Sequence, residues 1–263
     1  MNKLAKIGIF LFFVIGLLFV LFLFSKTSSK NLDNFSNYSL ENNSINNSLG
    51  VLTLVFDDGH NSTYGNVYPL MKKYGYNGTV FILTNQTKLE GHNLMSFEDA
   101  KILQEQGWEI GSHGLNHVCF TDIEVSEAKS SIIESKKILE SHGIEVFGFA
   151  YPYGCNNNES NNFSKENYLY WRALNWGYNS LTPDRNKIYS KWVDRNNNFS
   201  EICDWIITAK EESKWLVLSF HFIGEEKINH YDFNIDDFEK ILQCINQSQI
   251  KIKTFREFIN EIK

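Results

Sequence analysis

Two adjacent carboxylates, Asp57 and Asp58, follow directly after the apolar run VLTLVF. The run predicts a buried strand, and Gly59 predicts that this strand ends in a turn. An Asp-Asp-Gly turn is common in loops that have no function. However, carboxylates at the carboxyl end of a parallel strand also lie where barrel enzymes place their chemistry. The pair is therefore a candidate site that needs a second signal.

A histidine pair supplies that signal. His113 and His117 follow the third predicted strand, in the stretch WEIGSHGLNH. A spacing of four residues puts two imidazoles on one face of a helical turn, where they can hold one divalent metal ion. With Asp58 as the third ligand, positions remain open for water and substrate, and we expect zinc, with cobalt or nickel as alternatives. Four further histidines are interpreted as structural or surface residues: His60, His92, His142 and His230.

Predicted strands and helices alternate from residue 51 onward. Strands are predicted at 51–56, 78–84, 108–112, 146–151, 178–181, 188–193, 215–220 and 251–255. Helices are predicted at 62–76, 96–107 and 125–143, and after Ser164, Ser200 and Ile235. Seven or so such units within about 210 residues predict an α/β fold with a parallel (β/α) barrel. Ligands of such a fold bind at the carboxyl ends of the strands.

The first 50 residues differ in character from this domain. Residues 1–26 hold an apolar stretch from Ile7 to Phe24 behind Lys3 and Lys6, which predicts one transmembrane helix with the rest of the chain outside the cytoplasm. The alternative is a cleaved signal peptide and a secreted protein. Residues 27–50 are rich in Asn and Ser and predict a flexible linker, so the catalytic domain is predicted at 51–263.

Composition narrows the partners. The chain of 263 residues is 43% hydrophobic, which excludes a disordered protein. Its net charge is −6, without a basic cluster beyond the N-terminus, which argues against a nucleic-acid partner. The oligomeric state is left open. Four separated cysteines allow three disulfide connectivities, or free thiols: Cys119, Cys155, Cys203 and Cys244.

Taken together, these stretches resemble the polysaccharide deacetylases of the NodB-homology family, carbohydrate esterase family 4. The resemblance runs from about Leu52 to the C-terminus and rests on FDDG, SHGLNH, FAYPYG and WLVLSFHF. It implies a distorted (β/α) barrel and a hydrolase that removes N-acetyl groups from glycans, such as a cell-surface or cell-wall polysaccharide.

The resemblance also implies a role for each matched residue. Asp57 would be the general base, and Asp58, His113 and His117 the metal ligands. The backbone N–H of Tyr153, which follows Pro152 in the third motif, would bind the oxyanion. His221 would be the general acid.

The chain departs from the family pattern at three places. Ala150 replaces an arginine that pairs with the base aspartate, and several cations are candidates for its role: Arg172, Arg185, Lys191 and Arg195. Ser219 replaces a leucine of the acetyl pocket, which leaves Leu218 or Phe220 to form that wall. The fourth motif, whose aspartate orients the acid histidine, is not recognisable, and Asp194 is a candidate partner for His221.

Three functions remain open at this point. The first is an N-deacetylase acting on an N-acetylated glycan, with the membrane contacted through the N-terminal helix. The second is an O-acetyl esterase that uses the same site. The third is a catalytically impaired glycan-binding protein, which the missing arginine of the third motif keeps open.

Overall fold

The computed structural model of the protein describes residues 50–225 and 228–262. The predicted transmembrane helix and nearly all of the predicted linker lie outside these residues. Within the described residues, no helix is both long enough and apolar enough to cross a membrane. The fold below is therefore that of the predicted catalytic domain.

Seven parallel strands of the described chain close into a barrel. The ring order is β1, β2, β5, β6, β7, β8 and β9, and β9 pairs with β1 over the whole length of both strands. The strands of the ring are β1 (Val51–Phe56), β2 (Thr79–Ile82), β5 (Glu109–Ser112), β6 (Gly148–Ala150), β7 (Tyr170–Trp176), β8 (Ile188–Trp192) and β9 (Trp215–Phe220). This closed parallel ring confirms the predicted (β/α) barrel of about seven units.

Short strands complete the sheet structure. β12 (Lys251–Ile252) pairs with the start of β1, whereas β2 pairs with its end, so two strands share one edge of β1 and distort the ring. The remaining strands form two small pairs outside the barrel: β3 (Lys88–Leu89) with β4 (His92–Asn93), and β10 (Ile223–Gly224) with β11 (Phe233–Asn234).

Helices pack around the barrel, and the last of them contributes Phe255, Phe258 and Ile259 to the core inside it. They are α1 (Tyr68–Lys73), α2 (Phe97–Glu105), α3 (Val125–Ser141), α4 (Asn158–Asn167), α5 (Phe199–Glu211), α6 (Ile235–Ser248) and α7 (Phe255–Glu261). The predicted capping box of α2 is present, because Ser96 accepts a hydrogen bond from the Asp99 N–H while the Asp99 carboxylate accepts one from the Ser96 N–H.

Alternation along the strands divides the core into two parts. The inner part fills the barrel and includes Val55, Tyr170 and Val217. The outer part lies between barrel and helices and includes Leu54 and Leu218. Because neighbouring side chains of a strand point to opposite faces, the parity of each strand decides which residues reach the barrel interior.

The predicted boundaries between residues 157 and 181 are wrong. The helix predicted after Ser164 begins earlier, at Asn158, and the strand predicted at 178–181 lies earlier, at Tyr170–Trp176. Asn157 accepts a hydrogen bond from the Ser160 N–H and so caps the helix start, a signal that the Asn-rich sequence obscured. This displacement matters because β7 brings Arg172 into the barrel.

Two disulfides join the described cysteines. Cys119 pairs with Cys155, and Cys203 of α5 pairs with Cys244 of α6. The first disulfide connects the segments that follow His117 and Tyr153. Of the three connectivities that the sequence left open, the structure has Cys119–Cys155 together with Cys203–Cys244.

Candidate functional site

The end of β1 separates the two aspartates. Asp57 is still in strand register, because its N–H donates to the Phe220 carbonyl of β9 at 2.8 Å. Asp58 has a φ of 68° and Gly59 a φ of 76°. This left-handed turn is uncommon for a residue other than glycine and directs the second carboxylate away from the first. Two adjacent acids therefore reach two different environments.

Asp58 forms a cluster with both histidines of the predicted pair. Its Oδ1 atom lies 3.2 Å from His113 Nε2 and 3.3 Å from His117 Nε2. One donor atom from each of the three residues lies within 4.8 Å of the others, which is a spacing that can hold a metal ion. The structure thus brings together the ligand set expected from the sequence.

The route by which the histidines meet differs from the expected helical turn. His113 and His117 lie on an irregular segment that follows β5, in which Gly114 has a φ of 88°. His113 is oriented by a 2.7 Å hydrogen bond from Nδ1 to the Ala150 carbonyl, which leaves Nε2 with its lone pair toward Asp58. The His117 N–H donates to Gln86 Oε1 at 2.8 Å.

Electrostatics favour the deprotonated forms of Asp58 and His117. Burial alone would raise the pKa of the Asp58 carboxyl, but the adjacent imidazoles of His113 and His60 hold that pKa well below its ordinary value. Burial lowers the pKa of the His117 imidazole to about 4, against the opposing effect of Asp58. A carboxylate and a neutral imidazole are the protonation states that bind a divalent metal ion.

The donor set fits a metal ion in one further respect. Asp58 Oδ1 is buried and has no hydrogen-bond partner among the described residues, although it faces two imidazole nitrogens. A buried carboxylate oxygen without a partner is costly. Coordination of a cation by this oxygen and the two imidazoles would remove that cost.

Asp57 has different partners. Its Oδ1 atom accepts a hydrogen bond from the Arg172 guanidinium, and its Oδ2 atom accepts one from the Ser219 hydroxyl at 3.0 Å. Burial alone would raise the pKa of the Asp57 carboxyl, but Arg172 and the imidazoles of His113 and His221 outweigh it and hold the pKa below its ordinary value. Asp57 is therefore an ionised carboxylate held by two donors.

Four cations were candidate partners of Asp57, and the structure places Arg172 beside it. It is 7% exposed, and its guanidinium also lies over the Phe81 ring. The other candidates point elsewhere: Arg185 donates to the carbonyls of Ile259 and Ile262, and Lys191 lies among aromatic rings. Arg195 donates its backbone N–H to the His230 carbonyl.

His221 follows β9 and lines the same pocket. Its ring lies 4.9 Å from the Tyr231 ring, and its Nδ1 atom is buried without a hydrogen-bond partner among the described residues. Asp194 is not its partner, because Asp194 Oδ2 lies 3.0 Å from His230 Nε2. The pocket brings together most of the residues singled out in the sequence: Asp57, Asp58, His113, His117, Tyr153, Arg172, Ser219 and His221.

Tyr153 is held in a second strained turn. Its φ is 54°, its ring lies 4.2 Å from the His117 ring, and its side chain is 55% exposed. Within the described chain, no acceptor is bonded to its backbone N–H. This N–H is therefore available to a ligand in the pocket.

Three expected site residues do not line the pocket. Leu218 is fully buried in the outer core, because it precedes the inward-facing Ser219 on β9 and so points toward the helices. Phe220 has the same parity and also lies in the outer core. Pro152 is buried beneath the Tyr153 turn instead of facing the ligand. A wall formed by Leu218 is therefore excluded by strand parity.

Several residues at the site were missed in the sequence. His60 is buried, and its Nε2 atom lies 3.4 Å from Asp58 Oδ2, so it supports the ligand carboxylate. Its position two residues after Asp58 was the available signal. Glu90, Trp192 and Tyr231 also line the pocket, and they come from loops and a strand end that carry no recognisable motif.

The family model and a curated relative that this chain resembles both describe a deacetylase. Residues 45–170 match the family model described as polysaccharide deacetylase. Over 146 residues the chain is 29% identical to the poly-beta-1,6-N-acetyl-D-glucosamine N-deacetylase of Staphylococcus epidermidis, covering 49% of each chain. Over 108 residues it is 28% identical to YxkH of Bacillus subtilis, covering 41% of this chain and 38% of that protein. The chain thus spans about half or less of the length of these relatives.

Solved structures share the fold. The Xyl-CE4 domain of a xylanase from the hindgut metagenome of Trinervitermes trinervoides has a TM-score of 0.55 at 16% identity, covering 81% of this chain and 90% of that domain. BA3943 of Bacillus anthracis, described as a CE4 family pseudoenzyme, has a TM-score of 0.54 at 13% identity, covering 81% of this chain and 66% of that one. At these identities the likeness concerns the barrel alone.

Proposed function

Because residues 45–170 match the polysaccharide deacetylase family model, we propose that this protein is a metal-dependent hydrolase that removes N-acetyl groups from amino sugars of a cell-surface or cell-wall polysaccharide. One observation carries the proposal: the pocket joins a set of three ligand atoms to a separate, buried carboxylate that an arginine holds ionised. Amide hydrolysis needs both parts.

Asp58, His113 and His117 would hold one divalent metal ion, of which zinc suits the donors, with cobalt and nickel as alternatives. Such an ion, when bound, lowers the pKa of water and polarises a carbonyl. Asp57 does not belong to this ligand set, because Arg172 and Ser219 occupy its two oxygens. Its ionised carboxylate is therefore suited to accept the proton of the attacking water.

Two further groups of this chain complete the chemistry. The Tyr153 N–H donates to the oxygen of the acetyl carbonyl as negative charge develops there. His221, on the adjoining strand end, donates a proton to the nitrogen of the departing amine. An amine is a poor leaving group without that proton, so amide hydrolysis depends on this donor.

The fold alone does not decide activity, since BA3943 is described as a pseudoenzyme. Here the carboxylate pair, the histidine pair and His221 line one pocket. Arg172 forms an ion pair with Asp57 and so takes the role of the arginine that the third motif lacks. The impaired-enzyme alternative is therefore disfavoured by the side chains of this chain.

Acetate release tests the proposal. Full-length protein, purified in detergent and loaded with zinc or cobalt, is incubated with N-acetylated and O-acetylated glycans, including poly-β-1,6-N-acetylglucosamine, which the name of the staphylococcal relative suggests. We expect acetate from an N-acetylated glycan and none after Asp57→Asn. Release from O-acetylated glycans alone would favour the esterase alternative, and no release from either would contradict a hydrolase.

We also propose that the domain works outside the cytoplasm, anchored by the N-terminal segment. The two disulfides support an oxidising compartment. Fractionation of expressing cells, followed by protease treatment of intact cells, tests this. Soluble chains that begin near residue 27 would indicate a cleaved signal instead.

A further inference from the structure

The barrel rim next to the pocket carries an exposed tryptophan that the chemistry above does not use. Trp176 ends β7 and is 44% exposed, which is unusual for so large an apolar ring. Its ring centroid lies 4.4 Å from that of Trp192, and Trp192 lines the catalytic pocket. Only one residue therefore separates Trp176 from the pocket.

Neighbouring side chains hold the Trp176 ring in place. The Lys191 ammonium lies 4.7 Å from its centroid, 4.8 Å from that of Tyr178 and 4.5 Å from that of Trp205. Lys191 is 8% exposed, so these cation–π contacts are largely shielded from water. A ring fixed in this way loses little conformational entropy when a ligand stacks on its free surface.

From this arrangement we propose that Trp176 and Trp192 form a sugar-binding subsite for the residue next to the acetylated one in the same glycan chain. The C–H groups on one face of a pyranose ring are apolar and weakly positive, and the face of an indole is apolar and weakly negative. The two surfaces are therefore complementary. The inference rests on the proposed function, since it takes the acetylated sugar to occupy the pocket.

The subsite predicts which substrate lengths the protein prefers. A single acetylated sugar would fill the pocket without touching Trp176, whereas a longer chain would also cover the tryptophan pair. The protein should therefore prefer oligomers to monosaccharides and short acetyl esters. The preference should appear in KM, because the subsite lies away from the reacting bond.

The test uses full-length protein and N-acetylglucosamine oligomers of two and five units, in β-1,4 and β-1,6 linkage. Trp176→Ala should raise KM for the five-unit oligomer in at least one linkage by about tenfold, or about 1.4 kcal/mol. Hydrolysis of a small aryl acetate should not change. Trp176→Phe retains an aromatic face and should recover most of the affinity.

Leu169→Ala is the matched control. Leu169 immediately precedes β7, at the opposite end of the same strand, and is 37% exposed. Its replacement should alter neither KM. Thermal unfolding of each variant shows whether the loss of Trp176 packing against Lys191 also affects folding.

Direct binding separates the subsite from the proposed reaction. Calorimetry on the Asp57→Asn protein, with and without Trp176→Ala, measures affinity without turnover. Tighter binding of five units than of two, lost with Trp176→Ala, supports the subsite even if no acetate is ever released. Equal affinity for both lengths, no binding of either, or unchanged affinity in Trp176→Ala would overturn it.

Discussion

Replacing Arg172 should disable the base without emptying the metal site. Asp57 and Arg172 are 5% and 7% exposed, so Arg172→Ala leaves a buried carboxylate with the Ser219 hydroxyl as its remaining donor. Removing one partner of a buried ion pair costs about 3–5 kcal/mol. Asp57 can avoid much of this cost by taking up a proton, because burial then raises its pKa unopposed by Arg172.

The size of the effect follows from the same contacts. Loss of the ion pair costs about 3 kcal/mol while Asp57 is ionised, and protonation avoids this cost, so the pKa of Asp57 should rise. The acid limb of kcat/KM should therefore move to higher pH. At neutral pH, kcat/KM should also fall by at least about tenfold, because the base loses its orientation.

The assay is acetate release as a function of pH, with metal content measured on the same samples. Arg172→Lys keeps a charge but not the planar guanidinium, and should lie between wild type and alanine. Arg185→Ala is the control, because Arg185 binds the carbonyls of Ile259 and Ile262, away from the pocket. It should lower thermal stability and leave the acid limb in place. A folded Arg172→Ala protein with an unshifted acid limb would refute the reasoning.

Four further predictions follow from the same structure. His117→Ala should lower metal content in elemental analysis, and a chelator should abolish wild-type turnover. His221→Ala should keep the metal but lose more activity on an amide than on an aryl acetate, whose leaving group needs no proton; equal losses would mean that His221 only positions substrate. Burial raises the pKa of Glu109 from an ordinary 4.5 to about 7, so its contribution is fully present below about 4.5 and roughly 3 kcal/mol is lost as pH rises through 7; Glu109→Gln should remove that slope from denaturant titrations. Cys119→Ser should weaken metal affinity in a chelator competition, because its disulfide joins the His117 and Tyr153 segments, whereas Cys203→Ser should affect stability alone.

The barrel and the cluster of Asp58, His113 and His117 were predictable because both depend on local patterns. Apolar runs of strand length alternate with amphipathic helices, and His113 and His117 directly follow a strand. Even so, the two histidines meet through a bend at Gly114 and not through a helical turn. The spacing identified the right residues, although the local geometry was different.

The partner of Asp57 was not predictable from such patterns. Arg172 lies 115 residues further along the chain, and the pairing depends on the parity of β7. The sequence interpretation placed a helix near Arg172 and the next strand at 178–181, so the inward direction of Arg172 was not visible. Long-range pairs between strands depend on register, and register is a property of the closed ring.

The serine at position 219, where the family pattern has a leucine, also has a structural explanation. Ser219 occupies the inward position of β9, and its hydroxyl donates to Asp57 Oδ2 at 3.0 Å. A leucine there would leave that oxygen without a donor from β9. Two of the departures from the family pattern, at Ala150 and Ser219, thus meet at one carboxylate, which receives its charge partner from β7 and a hydroxyl from β9.

The separate roles of Asp57 and Asp58 come from a single change in backbone direction. Asp57 keeps the inward parity of β1 and lies with Arg172 and Ser219, whereas the positive φ of Asp58 takes the next carboxylate to the imidazoles. Without the left-handed turn, strand parity would send Asp58 toward the outer core. A carboxylate there would be buried without a cation. The strain at Asp58 is therefore the feature that lets one strand end supply both the proposed metal ligand and the proposed base.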